Sequence, residues 1–297
     1  MANNYYAAYC AYDYSRRGGH TRKTYIQTGT SEMAVRKGKH MITDEQLTLL
    51  EKYIKESNNI VFFGGAGVST ESGIPDFRSK DGLYNNMGVD FSKYKPEYLL
   101  SFACLYHEPE VFFEFYKQKM DTRKFKPNIT HEVLAKLERM GKLSAIVTQN
   151  IDGLHQKAGS KTVYEIHSTT AHCHCMNCGR EYDGSYIFDN DESVPHCQYY
   201  EDEKAIVRPD VVLYGENLPD HTVVKAISAI ENADCLIVGG TSLTVWLAST
   251  FLNYFKGDHL IIVNNEPLDV PTNERTDLII TDTLGNVFTK IDDVIKE

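Results

Sequence analysis

The sequence lacks long hydrophobic runs and has less positive than negative charge. No apolar stretch approaches the roughly 18 to 20 residues that a membrane-spanning helix needs, and the longest, such as 235–240, have the length of a strand. The chain has 31 Lys and Arg against 41 Asp and Glu, a net charge of −10, which disfavours binding to nucleic acid. We therefore expect neither a membrane nor a nucleic acid as a partner.

The sequence also lacks the features of a disulfide-bonded secreted protein. The number of cysteines is odd, at seven, and no N-terminal segment has the charged and apolar regions of a secretory signal. Four of the cysteines fall between residues 173 and 197. This distribution is typical of a metal site in a reducing compartment. We expect a cytoplasmic protein with a cysteine-rich metal module.

Residues 1–40 differ in composition from the rest of the chain. They contain six of the nineteen tyrosines, with seven Lys or Arg against two acidic residues, and they show no sustained apolar periodicity. His40 and Met41 stand directly before a helical pattern, as at a cloning junction ahead of a natural start. We expect a leader that was introduced by cloning or is disordered. A native extension is the alternative.

From Thr43 onward, helical and strand patterns alternate. Thr43 is a candidate cap for a helix that ends near Ser57. Strands that are apolar on both faces, joined by helical crossovers, predict an α/β fold with a Rossmann-like, doubly wound parallel sheet, whose ligand lies at the carboxyl ends of the strands. The predicted strands are 60–63, 144–148, 234–238, 259–263 and 278–280, and the predicted helices between them include 130–141, 220–232 and 246–255.

Residues 172–208 interrupt this alternation with cysteines, histidines and acidic residues, and they contain no long helix. We therefore expect a small inserted module of the zinc-ribbon type at 172–208. The Rossmann-like domain would then consist of 41–171 and 209–297.

A glycine-rich turn follows the first predicted strand. Gly65, Ala66 and Gly67 could present backbone amides to a phosphate group, with the glycines permitting positive φ and close approach of a ligand. A plain tight turn remains an alternative, because the G-x-G-x-x-G spacing is absent. Phe77 and Arg78 just downstream favour a ligand site, since a structural loop would not need both an aromatic ring and a guanidinium group.

Polar side chains follow two further strands. Gln149, Asn150 and Asp152 come directly after the strand that ends at residue 148, and His167 follows the strand-like stretch Val163-Tyr164-Glu165-Ile166. Side chains at such strand ends can be simple turn formers, and a single histidine is often structural. A histidine with an ordinary pKa near 6.5 is nevertheless suited to be a general base.

Taken together and in this order, these motifs resemble the sirtuin (Sir2) family of NAD-dependent protein deacylases, of bacterial type. The resemblance extends from about residue 43 to the C-terminus. It rests on Gly65-Ala66-Gly67, on Gly-Ile-Pro-Asp-Phe-Arg at 73–78, on Thr-Gln-Asn-Ile-Asp at 148–152, on Ile166-His167, on 211–216 and on Gly-Thr-Ser-Leu at 240–243.

The resemblance implies a protein-lysine deacetylase that transfers the acyl group to ADP-ribose and releases nicotinamide. It implies that His167 is the general base and that Asn150 and Asp152 orient the ribose and a water molecule. An acyl-lysine peptide or protein would pair with Val211, Val212 and Leu213 by strand addition. The residues implied to contact NAD are Gly65, Ala66, Gly67, Thr70, Phe77, Arg78, Gln149, Asn150, Ile151, Asp152, His167, Gly240, Thr241, Ser242, Asn264, Thr283 and Leu284.

The resemblance also implies a four-cysteine zinc site, and here the chain departs from the family. Cys175, Cys178 and Cys197 are present, whereas Tyr200 stands in the fourth position. A fourth ligand could come from His172, Cys173, His174, His196 or the acidic residues Glu201, Asp202 and Glu203. The alternative is a site that has lost its metal.

Two alternatives to a deacetylase remain. The same fold could hydrolyse NAD or transfer ADP-ribose to a protein, or it could be a catalytically impaired NAD-binding module. Ser168 bears on the second alternative because it replaces a glycine, which matters if the backbone there requires positive φ. Leu247, which replaces a proline, is a further departure.

Overall fold

A computed structural model of the chain describes residues 41–77, 82–85, 91–200, 205–241, 250–266 and 276–296. The predicted leader and residues 246–249 of the predicted helix at 246–255 lie outside the described ranges, and 250–252 are helical. The helices are α1 (Asp44–Glu56), α2 (Pro96–Leu99), α3 (Phe102–His107), α4 (Pro109–Lys119), α5 (Ile129–Arg139), α6 (Leu154–Lys157), α7 (Ser185–Phe188), α8 (Asp220–Asn232) and α9 (Leu284–Val294). The strands are β1 (Ile60–Gly64), β2 (Leu143–Thr148), β3 (Val163–Glu165), β4 (His172–Cys175), β5 (Glu181–Asp183), β6 (Val207–Pro209), β7 (Cys235–Gly239), β8 (His259–Asn264) and β9 (Leu278–Thr281).

Six strands form one parallel sheet in the order β3-β2-β1-β7-β8-β9. Phe62 in β1 lies opposite Ile146 in β2 and Ile237 in β7. The strands that alternate with helices in the sequence therefore form the predicted Rossmann-like sheet, and the fold prediction is confirmed. The order in which the chain adds strands reverses between β1 and β7, and in open parallel sheets the carboxyl ends of the strands at such a point form the ligand-binding crevice.

The side chains of β1 explain why this strand is apolar throughout. Ile60 and Phe62 join a buried cluster with residues of α1, α5 and α9 on one face of the sheet. Val61 and Phe63 join a second buried cluster with α8 on the other face. Burial of each such side chain contributes about 1.5 to 3 kcal/mol, so this packing fixes the strand in the middle of the sheet.

The first helix begins where the sequence predicts. Thr43 accepts a hydrogen bond from the amide of Gln46, whose side chain accepts one from the amide of Thr43 in return. The Gln46 side chain also donates to the carbonyl of Ile279 in β9. The predicted capping box thus starts α1 and ties it to the edge of the sheet.

A second, three-stranded antiparallel sheet has the order β5-β4-β6 and lies within the range predicted for the inserted module, apart from the last residue of β6. Its buried residues, such as Cys173 and Val207, share an apolar cluster with α3 and α4.

The periodicity of apolar residues in the sequence did not identify the helices α2 and α3. The division at residues 171 and 209 stays a prediction. Within the described ranges, no helix has the length and apolarity to cross a membrane.

Candidate active site

The polar residues singled out in the sequence lie at one edge of the parallel sheet. Turns follow β1 and β7, the two strands on either side of the reversal, and a longer turn follows β2 next to β1. His167 lies two residues beyond β3, and Asn264 is the last residue of β8. Because parallel strands end on the same side, this topology gathers the candidate residues around one crevice.

The glycines after β1 are required by contact between two turns. Gly65 has φ −126°, so this glycine does not use the positive φ that glycine permits. A Cβ atom at Gly65 would lie 2.9 Å from the Gly240 carbonyl oxygen, and one at Gly67 would lie 2.8 Å from the Gly240 Cα atom. Gly240 itself has φ 63°. Glycine therefore lets the turn after β1 touch the turn after β7.

Most amides of this turn bond within the protein. Gly67 donates to the carbonyl of Gly240 at 2.8 Å, and Gly65 donates to the carbonyl of Gly239 at 3.3 Å. Among the described residues, the amide of Ala66 has no partner. The turn therefore offers a phosphate fewer backbone amides than the sequence suggests, and Ala66 supplies the available one.

Ser69 holds two candidate catalytic side chains together. Its Oγ donates to Asp152 Oδ2 at 2.6 Å and accepts from Asn150 Nδ2 at 3.1 Å. All three side chains are buried. A hydroxyl can donate and accept at once, so serine suits this bridging position. The sequence interpretation missed Ser69, although it lies inside the glycine-rich motif.

Two carboxyl groups in this region have raised pKa values. Burial raises the pKa of Asp152, and hydrogen bonds from Ser69 and from the amide of Leu154 partly offset that rise. Burial raises the pKa of Glu165 to about 7, and the nearby Asp152 adds to the effect. Shifted pKa values of this kind are common in active sites.

His167 has a defined tautomer. Its Nδ1 lies 2.9 Å from the carbonyl oxygen of Gln149, which can only accept, so Nδ1 carries the proton. Nε2 is then left with its lone pair. Burial lowers the pKa of His167, which keeps the ring neutral at neutral pH. The side chain can thus act as a base through Nε2.

Two hydrogen-bond donors at this edge of the sheet are compatible with NAD. The side-chain nitrogen of Gln149 is buried and has no hydrogen-bond partner among the described residues. Buried amide groups almost always have a partner, and a ligand with an acceptor atom would satisfy this nitrogen. The amide of Ala66 offers a second donor at the same edge. A polar, anionic dinucleotide supplies acceptors of both kinds.

Several other residues predicted to contact NAD are bonded to or packed against other residues of the protein. Thr70 donates to the carbonyl of Gly67, and Asn264 donates to the carbonyl of Glu266. Thr283 caps α9 by accepting from the amide of Asn286, while Leu284 packs in the core. Ile151 and Thr241 are buried, and Phe77 is partly buried. Arg78 and Ser242 lie outside the described residues.

The segment predicted to pair with a peptide, 211–213, is held by hydrogen bonds to other residues of the chain. The carbonyl of Val211 accepts from Arg208, the amide of Val212 donates to the carbonyl of His167 at 3.0 Å, and the amide of Leu213 donates to Glu216. In the part of the chain that is described, the carbonyl of Val212 has no partner. A peptide pairing with this segment would therefore use that carbonyl.

The predicted metal ligands form one cluster. The sulfurs of Cys175, Cys178 and Cys197 all lie within 4.8 Å of one another, and those of Cys178 and Cys197 are 3.8 Å apart. A tetrahedral zinc ion with bonds of about 2.3 Å separates its sulfur ligands by about 3.8 Å. The donor set therefore fits zinc.

The fourth position of this cluster has no cysteine. Tyr182 has its hydroxyl 3.0 Å from the sulfur of Cys197. This hydrogen bond, with smaller contributions from hydrogen bonds of Tyr199, Cys175 and Cys178, lowers the pKa of Cys197 to about 7. Cys173 instead contacts backbone carbonyls, His174 contacts Asp210, and His196 contacts Glu192. No further His, Cys, Asp or Glu joins the cluster in the described ranges, and 201–203 lie outside them.

The sheet order and the hydrogen-bonded crevice at its reversal define a Rossmann-like protein. A profile of the Sir2 family matches residues 65–246. The chain is 48% identical over 248 residues to the NAD-dependent protein deacetylase of Clostridium acetobutylicum, covering 84% of this chain and 98% of that protein. It is 49% identical over 252 residues to that of Clostridium perfringens, covering 84% and 100%. This chain belongs to the Sir2 family.

Solved structures of Sir2 proteins have the same fold. One, described as showing the structural basis for the mechanism and regulation of Sir2 enzymes, aligns with a TM-score of 0.74 and 36% identity over 86% of this chain and 99% of that one. Another, Sir2 with a p53 peptide and NAD+, aligns with a TM-score of 0.70 and 33% identity over 85% and 98%.

Ser168 provides a test of local backbone strain. It has φ 57°, and it is the one non-glycine residue with positive φ in the described ranges. A side chain costs about 1 to 2 kcal/mol in this conformation. Ser168→Gly should therefore raise the free energy of unfolding by about 1 kcal/mol in denaturant titrations. Ser185→Gly, at a helical position in α7, should lower it. Equal losses in both variants would contradict the strain assignment.

The cysteine cluster gives a test of metal binding. Cys178→Ser should lower the zinc content of the purified protein because it removes one of three thiolate ligands. Cys173→Ser is the matched control and should keep its zinc, since Cys173 lies in the same sheet but outside the cluster. Elemental analysis measures both. A wild-type content below about a tenth of a zinc ion per chain, with the module folded, would show that the site has lost its metal.

Proposed function

We propose that the chain is an NAD-dependent protein-lysine deacylase, acting as a deacetylase in the cytoplasm. The observation that carries this proposal is the bridge from Ser69 to Asn150 and Asp152, at the crevice that His167 also borders. Relatives about 48% identical over nearly their whole length are named NAD-dependent protein deacetylases. A solved Sir2 structure described as bound to an acetylated peptide further supports an acyl-lysine substrate.

Each polar group has a role in this reaction. Bound NAD would supply a ribose carbon that accepts the acyl oxygen as nicotinamide leaves, and ADP-ribose as the acceptor of the acyl group. Asn150 and Asp152 would orient the ribose and a water molecule, because Ser69 fixes both side chains in a buried, polar setting.

His167 would accept a proton from a ribose hydroxyl. The bond from its Nδ1 to Gln149 orients the ring and leaves Nε2 as the basic atom. Because burial lowers its pKa, His167 stays neutral down to a lower pH than a free histidine would. Turnover should accordingly fall only on the acid side of that pKa, where the ring becomes protonated.

We assign the remaining contacts as follows. Ala66, with its free amide, would face the pyrophosphate, and Gln149 would donate its unpaired side-chain nitrogen to the nicotinamide half of the cofactor. Val212 would pair with the peptide through its carbonyl. Zinc, held by Cys175, Cys178 and Cys197, would stabilise the module at 172–208, and the Rossmann-like domain would comprise 41–171 and 209–297.

Product analysis of the wild-type protein tests the proposal. The protein is incubated with NAD and an acetyl-lysine peptide, and every product is identified by mass spectrometry. Formation of deacetylated peptide, nicotinamide and acetyl-ADP-ribose in equal amounts is the expected result. Consumption of NAD with the peptide unchanged would instead indicate NAD hydrolysis. Transfer of ADP-ribose to protein would indicate the transferase alternative, and no reaction would indicate a binding module.

His167→Ala should abolish deacetylation while NAD still binds. Loss of a general base typically lowers turnover by about 10² to 10⁴-fold. The ring is assigned to proton transfer, so the dissociation constant for NAD, measured calorimetrically, should change little. His221→Ala, an exposed residue on α8, serves as the control and should keep full turnover. Wild-type turnover in His167→Ala would remove the histidine from the mechanism.

A further inference from the structure

Two tyrosine hydroxyls join segments that are far apart in the sequence. The hydroxyl oxygens of Tyr84 and Tyr214 are 2.8 Å apart, a direct hydrogen bond in which either can be the donor. Tyr214 is 42% exposed and Tyr84 is partly buried, so the bond lies at the protein surface. Neither tyrosine has a role in the site as described so far.

Tyr84 is attached to the segment assigned to the cofactor. Its amide donates to the carbonyl of Phe77 at 3.0 Å, and its ring meets the Phe77 ring edge to face at 5.6 Å. The amide of the preceding residue, Leu83, donates to the carbonyl of Asp76 at 2.7 Å. Residues 76–77 and 83–84 are thus held together, so Tyr84 and Phe77 must shift together.

Tyr214 is attached to the segment assigned to the peptide. It follows Leu213 directly, and its amide donates to the carbonyl of Leu100 at 3.0 Å. Its carbonyl accepts from the amide of Phe102 at 3.1 Å. Two residues before it, the amide of Val212 bonds to the carbonyl of His167. The ring of Tyr214 therefore extends from a backbone that is anchored on two sides.

From these contacts we infer that the Tyr84–Tyr214 hydroxyl pair couples the cofactor site to the peptide site. The pair consists of two positioning residues, acting through Phe77 on one side and through 211–213 on the other. When one substrate orders its segment, it favours the conformation in which the two hydroxyls are hydrogen-bonded. The other substrate binds this same conformation. This inference rests on the proposed function.

The coupling has a defined size and symmetry. A neutral hydrogen bond of this kind contributes a net factor of about two- to tenfold to an equilibrium. By thermodynamic linkage, peptide must strengthen NAD binding by the same factor by which NAD strengthens peptide binding. Phenylalanine keeps each ring and removes only the hydroxyl, so Tyr84→Phe and Tyr214→Phe each remove this bond while the rings stay in place.

The test measures binding of a non-hydrolysable NAD analogue by calorimetry, with and without saturating acetyl-lysine peptide. The ratio of the two dissociation constants is the coupling factor. We expect Tyr214→Phe and Tyr84→Phe each to reduce it by about two- to tenfold. The double variant should lose no more than either single variant, because both remove the same bond. Tyr106→Phe, an exposed tyrosine of α3, is the control and should leave the factor unchanged.

The outcomes separate this inference from the proposed function. A wild-type coupling factor of one, an unchanged factor in the single variants, or additive losses in the double variant would each overturn the role of the pair, while the enzyme still deacetylates the peptide. If wild-type protein binds neither NAD analogue nor peptide, the proposed function fails and the coupling fails with it. A loss of equal size in Tyr106→Phe would show a general surface effect and would also overturn the inference.

Discussion

The hydroxyl of Ser69 is the interaction on which the candidate site depends. It joins the turn after β1 to the turn after β2 by donating to Asp152 and accepting from Asn150. Without this hydroxyl, Asp152 would lose the hydrogen bond that lowers its pKa most, and Asn150 would lose a buried partner. Each loss would cost about 1 to 3 kcal/mol. One side chain thereby fixes the orientation of the two groups assigned to the ribose.

The fold supplies the conditions for this bridge. The turn after β1 lies against the turn after β7, and that contact requires glycine at positions 65, 67 and 240. The segment that follows this turn carries Ser69 to Asp152. The parallel register of β1 with β2 and β7 determines how far along the strand direction each turn begins. The bond from Val212 to His167 then links the crevice to the segment that leads out of the three-stranded sheet.

Much of this architecture could be predicted from the sequence, because buried parallel strands have no polar alternation and strand ends collect ligand-binding residues. Contacts between distant turns could not be predicted. The glycine at position 65 was singled out because glycine permits positive φ and close approach of a ligand, whereas the structure shows that it makes room for Gly240. Ser168 does adopt the positive φ that its glycine-like position implied. Ser69 and the Tyr84–Tyr214 pair depend on side-chain positions that no local pattern encodes.

The pH profile of turnover in Ser69→Ala tests the central claim most directly, with the free energy of unfolding measured in parallel. Loss of the hydroxyl releases the two groups that we assign to the ribose, so kcat/KM should fall by about 10²-fold while the protein stays folded. The hydrogen bond from Ser69 lowers the pKa of Asp152, so its removal should also move any acid limb that reports Asp152 to higher pH. Wild-type turnover with an unshifted profile would contradict the account.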